Sequence, residues 1–224
     1  MVYSIGKVSV YETTPEIEIV GGDKVWRDVK FLNPDEVDLP AASDMFLSER
    51  FGQGYAIDPE TAPKAVIWKN KSKLPPDYAF GNNSIMLVSE KFRDLVEHFE
   101  PGVHQFLPVS MYFKRTDVEP FDTLYWFICC QLIDSLDPQN TTIPWRGKGY
   151  DVRREDGRRW GSWHIDAVAE PPQKPVFSLA AIGEHHLWRD PHWSRGMVYC
   201  SDAFGEALNA QGLSGFGTSQ REQI

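Results

Sequence analysis

The sequence lacks the features of a disulfide-rich secreted protein and of a membrane-spanning chain. Only 3 of its 224 residues are cysteine, and they follow no framework spacing, which is typical of reduced thiols in a cytosol-like compartment. The longest apolar run, residues 124–130, is far shorter than the roughly 18–20 residues that span a bilayer. The first residues have neither the basic nor the apolar region of a secretory signal. These absences predict a cytoplasmic protein with no membrane partner.

Positive charge is also scarce. Lysine and arginine number 23 against 32 aspartates and glutamates, so the formal net charge is −9. Nucleic-acid binding depends on excess positive charge, and the composition therefore disfavours a nucleic-acid partner. A basic protein partner remains electrostatically attractive.

The sequence contains one pattern twice: a short apolar strand, a serine and an amphipathic helix. Ser89 and Ser201 each follow an apolar strand-like segment and stand where a helix N-cap is expected. Apolar residues at helical spacing come after each serine; they are Phe92, Leu95, Val96 and Phe99 in the first unit and Phe204, Ala207 and Leu208 in the second. We predict an α+β fold in which these few helices pack on a mixed or antiparallel sheet.

Three other segments lead to local predictions. Residues 123–133 are aromatic and β-branched without clear alternation, which indicates a strand covered on both faces. Pro108 interrupts an apolar strand-like run and indicates a sheet edge or a bulge. Gly183 separates two apolar runs, 176–182 and 185–188, and we interpret them as a hairpin.

The chain divides by charge near residue 80. Residues 1–63 hold twelve acidic and five basic residues, and residues 69–77 read as a linker because they are polar and contain paired prolines. We therefore predict an acidic N-terminal region over residues 1–80, docked on the same body as an α+β domain over residues 81–224.

The candidate catalytic and metal-binding residues are few. His185, His186 and His192 are clustered, but adjacent residues on a strand point to opposite faces, which does not suit a shared metal. Cys200 ends a strand just before a helix N-terminus, where a thiolate is electrostatically favoured. No strong catalytic motif is present, and we expect no catalytic residues, no metal and no cofactor. The alternative is a hydrolase-type enzyme that uses Cys200 or the histidines.

Two segments are candidates for a protein interface. Arginine and aromatic residues are enriched at interface hot spots, and acidic residues complement a basic partner. The candidate residues of the arginine–tryptophan segment are Trp145, Arg146, Arg153 and Trp160, and those of the acidic segment are Asp35, Glu36, Asp38, Asp44 and Glu49.

Several short motifs in the second half occur in an order that resembles a known family. They are IMLVSEKF at residues 85–92, HQFLPV at 104–109, YWFI at 125–128 leading to IDSLD at 133–137, HLWR at 186–189, VYCSDAF at 198–204 and GLSGF at 212–216. In this order they resemble the eleventh immunity protein family of bacterial polymorphic and type VI-delivered toxin systems. The resemblance covers about residues 81–217.

This resemblance implies a cytoplasmic immunity protein that neutralises a cognate toxin by stoichiometric binding. It implies occlusion of the toxin's active site, with nuclease toxins as common partners, and no catalysis by the immunity protein itself. The matching positions are helix caps, apolar stripes and turns, so the resemblance assigns no toxin-contact residue. The sequence leaves a non-toxin adaptor or ligand-binding module open as a further alternative, and it leaves the oligomeric state open.

Overall fold

The structure is a computed structural model that describes residues 1–7, 17–22, 25, 28–34, 54–70, 74–80, 86–148, 161–166, 168–193 and 197–224. The described strands are β1 (Val2–Lys7), β2 (Ile17–Ile19), β3 (Ala65–Trp68), β4 (Tyr78–Phe80), β5 (Met86–Val88), β6 (Gln105–Tyr112), β7 (Asp122–Ile128), β8 (Trp145–Gly147), β9 (Gly161–Trp163), β10 (Val176–Phe177), β11 (Leu187–Trp188), β12 (Val198–Ser201) and β13 (Phe216–Gln223). The described helices are α1 (Glu90–Phe99), α2 (Leu179–Ile182) and α3 (Asp202–Ala210).

The strands form two large mixed sheets and one two-stranded sheet. The first sheet has the order β2-β3-β6-β7-β5-β4, the second has the order β10-β13-β1-β12-β11, and β8 pairs with β9. Each large sheet contains one parallel pair, β3–β6 in the first and β10–β13 in the second, and its other pairs are antiparallel. The prediction of an α+β fold with a mixed sheet and a few helices is confirmed.

Strand β7 shows why the first sheet lies in the interior. Leu124, Trp126 and Ile128 pack into an apolar cluster on one face of the sheet, while Tyr125 and Phe127 pack into a second cluster on the other face. The aromatic run has no polar side because neighbouring layers cover both faces. The prediction of a strand covered on both faces is therefore confirmed over residues 123–128, and the strand ends five residues earlier than predicted.

The second cluster holds the two large sheets and the two longer helices together. Ser89 Oγ accepts a hydrogen bond from the Phe92 amide at 3.3 Å, and Ser201 Oγ accepts one from the Phe204 amide at the same distance. Both predicted N-caps are thus confirmed. Phe92 and Phe204 are fully buried between the sheets, where their rings stand 6.4 Å apart.

The third cluster covers the outer face of the five-stranded sheet. It is built from Val2, Ile133, Leu136, Ile143, Trp163, Phe177, Ile182, Trp188 and Tyr199. Trp145, Trp193 and Met197 pack against it. The small β8–β9 hairpin is therefore attached to the main body through tryptophan side chains.

Strand β6 is an inner strand although it contains Pro108. Its pairing with β3 begins only at Ser110, so at Pro108 the strand has β7 alone as its neighbour, where Tyr125 lies opposite. The missing amide of proline costs no ladder hydrogen bond when that side of the strand is unpaired. The expectation of a sheet edge is correct at this one residue and wrong for the strand as a whole.

The predicted hairpin around Gly183 is wrong. The two apolar runs belong to strands at opposite edges of the five-stranded sheet, β10 and β11. Between them Ser178 Oγ accepts a hydrogen bond from the Ala181 amide and starts the short helix α2. Gly183, at φ 63°, ends that helix and turns the chain away.

Residues 1–80 supply strands to both large sheets. β1 is the central strand of the second sheet, and β2, β3 and β4 belong to the first. The division between residues 1–80 and 81–224 stays a prediction, which limited proteolysis near residues 69–77 would test. Among the described helices, none is long and apolar enough to cross a membrane.

Candidate functional site

The structure describes part of the predicted protein interface. Trp145 and Arg146 lie on β8. The other predicted interface residues lie outside the described residues: Arg153, Trp160, Asp35, Glu36, Asp38, Asp44 and Glu49. The site is therefore built on the two strands that carry the arginine–tryptophan segment, β8 and β9.

The base of this hairpin is an aromatic cluster. The Trp145 ring packs edge-on against Trp163 at 5.3 Å and against His192 at 5.4 Å. Trp163 is buried, at 7% exposure. The His192 ring donates through Nδ1 to the Gly161 carbonyl at 3.0 Å, and the Trp163 amide donates to the His192 carbonyl at 2.8 Å. The hairpin therefore has a fixed position relative to the main body.

Above this base the hairpin presents a basic and aromatic surface. Arg146 and Lys148 are exposed, and Trp145 is half-buried. The Trp145 indole Nε1 donates to the Lys148 carbonyl at 2.7 Å, which holds the chain in place just beyond β8. We call Trp145, Arg146 and Lys148 the hairpin surface.

Asp190 fixes His192 and so supports the hairpin from below. Its carboxylate accepts hydrogen bonds from the His192 amide at 2.8 Å and from the Ser135 amide and hydroxyl at 2.8 and 2.9 Å. Burial raises the pKa of Asp190 to about 6, and these donors oppose that effect. The sequence gives little sign of this role, since Ser135 and Asp190 are distant along the chain.

The hairpin depends on Gly161. This residue has φ +147°, and a Cβ atom built there would lie 2.3 Å from the Arg146 carbonyl oxygen and 2.8 Å from the Trp145 ring. We expect Gly161→Ala to push β9 from β8 and to lower the free energy of unfolding by about 1–3 kcal/mol. The change should also weaken the near-ultraviolet circular dichroism of the tryptophan pair.

Gly183→Ala is the matched control for this prediction. Gly183 also has a positive φ, of 63°, but a Cβ there meets no atom within 4 Å. Gly183→Ala should therefore lower the free energy of unfolding by about 1 kcal/mol, because of the unfavourable backbone conformation alone. An unchanged near-ultraviolet spectrum in Gly161→Ala would contradict the packing of the hairpin base.

The three candidate metal-binding histidines have separate roles. His192 supports the hairpin, whereas His186 Nδ1 lies 2.8 Å from Ser201 Oγ. His185 is partly exposed and its Nδ1 is 3.7 Å from Glu100 Oε1. Within the described residues, no group of three or more histidine, cysteine, aspartate or glutamate side chains could hold a metal ion. The geometry gives no support to a shared histidine site.

Cys200 does not have the properties of a nucleophile. Its side chain is fully buried, and burial, assisted by Asp202, raises the pKa of the thiol to about 12. The helix that follows begins at Asp202, which adds a negative charge where a thiolate would need a positive one. Cys200 is a packing residue of the second cluster.

The structure also contains a buried carboxylate that the sequence did not reveal. Glu100, at the end of α1, accepts hydrogen bonds from His104 Nε2 at 2.6 Å and from the His186 and Leu187 amides at 2.7 and 3.2 Å. Burial raises the pKa of Glu100, but the hydrogen bonds outweigh burial and hold that pKa below its ordinary value. Glu100 and His104 are four residues apart in the sequence, but the other partners of Glu100, His186 and Leu187, lie 86 and 87 residues further along.

His104 completes this connection between the sheets. Its Nδ1 accepts a hydrogen bond from the Cys130 amide at 3.2 Å, so the proton that it donates to Glu100 is on Nε2. The pair thereby joins the end of α1, the start of β6, the segment after β7 and the start of β11. We assign Glu100 and His104 a structural role.

The comparison with known families agrees with the motifs. Residues 21–221 match the family described as "Immunity protein family (Imm11)", so the match begins well before the region on which the resemblance rested. No curated protein matches the chain in sequence. Because the matched region covers most of the chain, the protein belongs to the Imm11 immunity protein family.

Proposed function

We propose that this protein neutralises a cognate bacterial toxin by binding it stoichiometrically and covering its active site. The protein performs no catalysis and uses no cofactor or metal. It acts in the cytoplasm against a polymorphic or type VI-delivered toxin, and a nuclease is the toxin class that the charge favours. Neither nucleic acid nor membrane is its ligand.

The hairpin surface is the observation that supports this proposal best. Tryptophan and arginine are the residue types most enriched at binding hot spots. Here they stand on a base that buried aromatic rings and hydrogen bonds already hold in place. A preorganised surface loses little conformational entropy on binding, which favours high affinity.

Charge supports the same proposal. The chain carries a net charge of −9, and a toxin that acts on nucleic acid needs a basic active site. Opposite charges speed encounter and suppress wrong partners. We therefore propose that the acidic segment, residues 35–49, meets the basic active site, and that the hairpin surface contributes hot-spot contacts to the same toxin.

Growth rescue tests the function directly. The product of the adjacent gene is expressed in a susceptible host with and without this protein, and the pair is purified together. Rescue with a one-to-one complex is the expected result. Toxicity that continues despite coexpression, with no complex, would contradict the immunity function.

An alanine variant tests the hairpin surface. We expect Arg146→Ala to weaken toxin binding by about tenfold or more, because truncation of an arginine at the centre of an interface commonly costs that much binding free energy. Lys114→Ala is the control, since Lys114 is an exposed cation on the turn after β6. Equal affinity of both variants would place the toxin contact elsewhere.

The electrostatic part of the proposal predicts a salt effect. Raising the salt concentration should lower the association rate constant by about tenfold or more, because screening removes the long-range attraction. The dissociation rate should change less. Stopped-flow fluorescence of the tryptophans measures both rates. An association rate that does not depend on salt would exclude electrostatic capture.

A further inference from the structure

Strand β13 has an outer edge that is only partly paired. On its inner side it pairs with β1 from Phe216 to Arg221. On its outer side β10 is its neighbour, and β10 pairs only with Glu222 and Gln223. Within the described part of the chain, about six residues of this edge, roughly 20 Å at the usual rise per residue, have no strand beside them.

The hydrogen bonds at the end of β13 identify the backbone groups that this edge presents. The Ile224 amide donates to the Phe177 carbonyl at 2.8 Å, and the Leu179 amide donates to the Ile224 carbonyl at 2.9 Å. The backbone N–H and C=O groups of residue 224 therefore point away from β1. Because backbone groups alternate between the two sides of a strand, Thr218 and Gln220 point outward too. Their amides and carbonyls make no hydrogen bond to another described residue.

The open edge lacks the devices that normally keep strand edges from pairing. Such devices are proline, lysine, bulges and very short strands. Residues 216–220 contain no proline and no charge, and β13 is eight residues long. Arg221, which follows, turns toward β1, where its Nη2 donates to Ser4 Oγ at 2.7 Å. Ser219 and Gln220 are exposed, so the edge is accessible.

Charge indicates what occupies the edge. Two copies of a chain with a net charge of −9 repel each other, which disfavours a second copy and favours a basic polypeptide.

We propose that the open edge of β13, residues 216–221, receives an extended segment of the cognate toxin as a sixth strand of the five-stranded sheet. The proposal rests on the proposed toxin-binding function and adds a second contact to the hairpin surface. In strand addition, main-chain hydrogen bonds supply affinity and side-chain pockets supply specificity. Because residues 216–220 carry no charge, we expect the affinity to come mainly from the backbone hydrogen bonds.

Proline substitutions at the outward positions test this contact. Thr218→Pro and Gln220→Pro each remove an outward amide, and an edge strand tolerates proline where the amide faces away from its partner. Thr218→Ala and Gln220→Ala keep the amide and serve as matched controls. The probe is the toxin from the growth-rescue experiment, inactivated by substitution, with affinity measured by calorimetry. We expect at least a tenfold loss of affinity in the proline variants alone.

Hydrogen exchange of the wild-type protein gives a readout that needs no variant. The amides of Thr218 and Gln220 should exchange quickly in the free protein and slowly in the complex. A one-to-one complex in which both amides keep their free exchange rates would overturn the proposal and leave the toxin-binding function standing. Absence of any complex would overturn both. Protection that appears without toxin and grows with protein concentration would identify a second copy instead and overturn the proposal.

Discussion

Replacing Phe92 by alanine is expected to lower the free energy of unfolding by about 3–5 kcal/mol. Phe92 is fully buried, and its ring lies 5.3 Å from Tyr78, 5.5 Å from Phe127 and 6.4 Å from Phe204. These three rings come from β4, β7 and α3. The cluster around Phe92 also contains residues of the five-stranded sheet. One truncation therefore opens a cavity in the cluster that joins both large sheets and both longer helices, and the surrounding elements cannot collapse into it independently.

Urea unfolding followed by circular dichroism measures this effect. Lys91→Ala is the matched control because Lys91 is the exposed neighbour on the same helix, and its change should stay within about 0.5 kcal/mol. Equal losses in the two variants would show that the cluster around Phe92 does not contribute to stability as its burial indicates.

Replacing Glu100 by glutamine is expected to cost about 3 kcal/mol. The carboxylate accepts from three donors, whereas a glutamine side chain brings a donating NH2 group to one of them. His104 cannot adapt by moving its proton, because its Nδ1 must accept from the Cys130 amide. At least one buried donor therefore loses its acceptor.

The same carboxylate gives stability a definite pH dependence. The folded pKa of Glu100 lies below its ordinary value of 4.5. The contribution of Glu100 to the free energy of unfolding is therefore fully present above the pKa that this residue has in the unfolded chain. It is lost as the pH falls through the pKa that it has in the folded protein. We expect the wild-type protein to lose stability below about pH 4.5 more steeply than Glu100→Gln. The exposed Glu206→Gln variant should follow the wild type. If the free energy of unfolding depended on pH in the same way for the wild type and for Glu100→Gln, this would contradict the lowered pKa of Glu100.

Local patterns predicted the parts of the fold that local forces decide. Ser89 and Ser201 cap helices because a side-chain oxygen satisfies amides only three residues away. The burial of Phe92, Leu95 and Val96 follows from helical spacing alone. For the same reason the aromatic run of β7 indicated burial on both faces.

Contacts between distant segments of the chain determine the features that local sequence patterns did not predict. Gly183 looked like a hairpin turn, but β10 has β13 as its partner and β11 has β12. Pro108 could not reveal that β3 joins β6 only two residues later. Glu100 carries no signal in the sequence, since its partners His186 and Leu187 are brought to it only by the fold.

Residue type predicted a candidate site, and its geometry could not be predicted. The mixture of arginine and tryptophan predicted a protein interface, which stays a prediction, and the structure places Trp145 and Arg146 of that segment on β8. The sequence does not predict the support from His192 and Asp190, because its pattern groups His192 only with His185 and His186 as a candidate metal ligand and gives Asp190 no role. The contribution of these two residues depends on contacts with positions 135 and 161.

The place of β1 affects when a newly made molecule can act. β1 lies between β12 and β13, and Ser4 meets Ser219 across 215 positions of sequence. At about 5–20 residues per second, a ribosome needs roughly 10–40 seconds to make the neighbours of this strand. Under the proposed function, each molecule begins to protect the cell only after β12 and β13 have been made. The stored pool of finished protein, rather than fresh translation, then determines how fast an incoming toxin is captured.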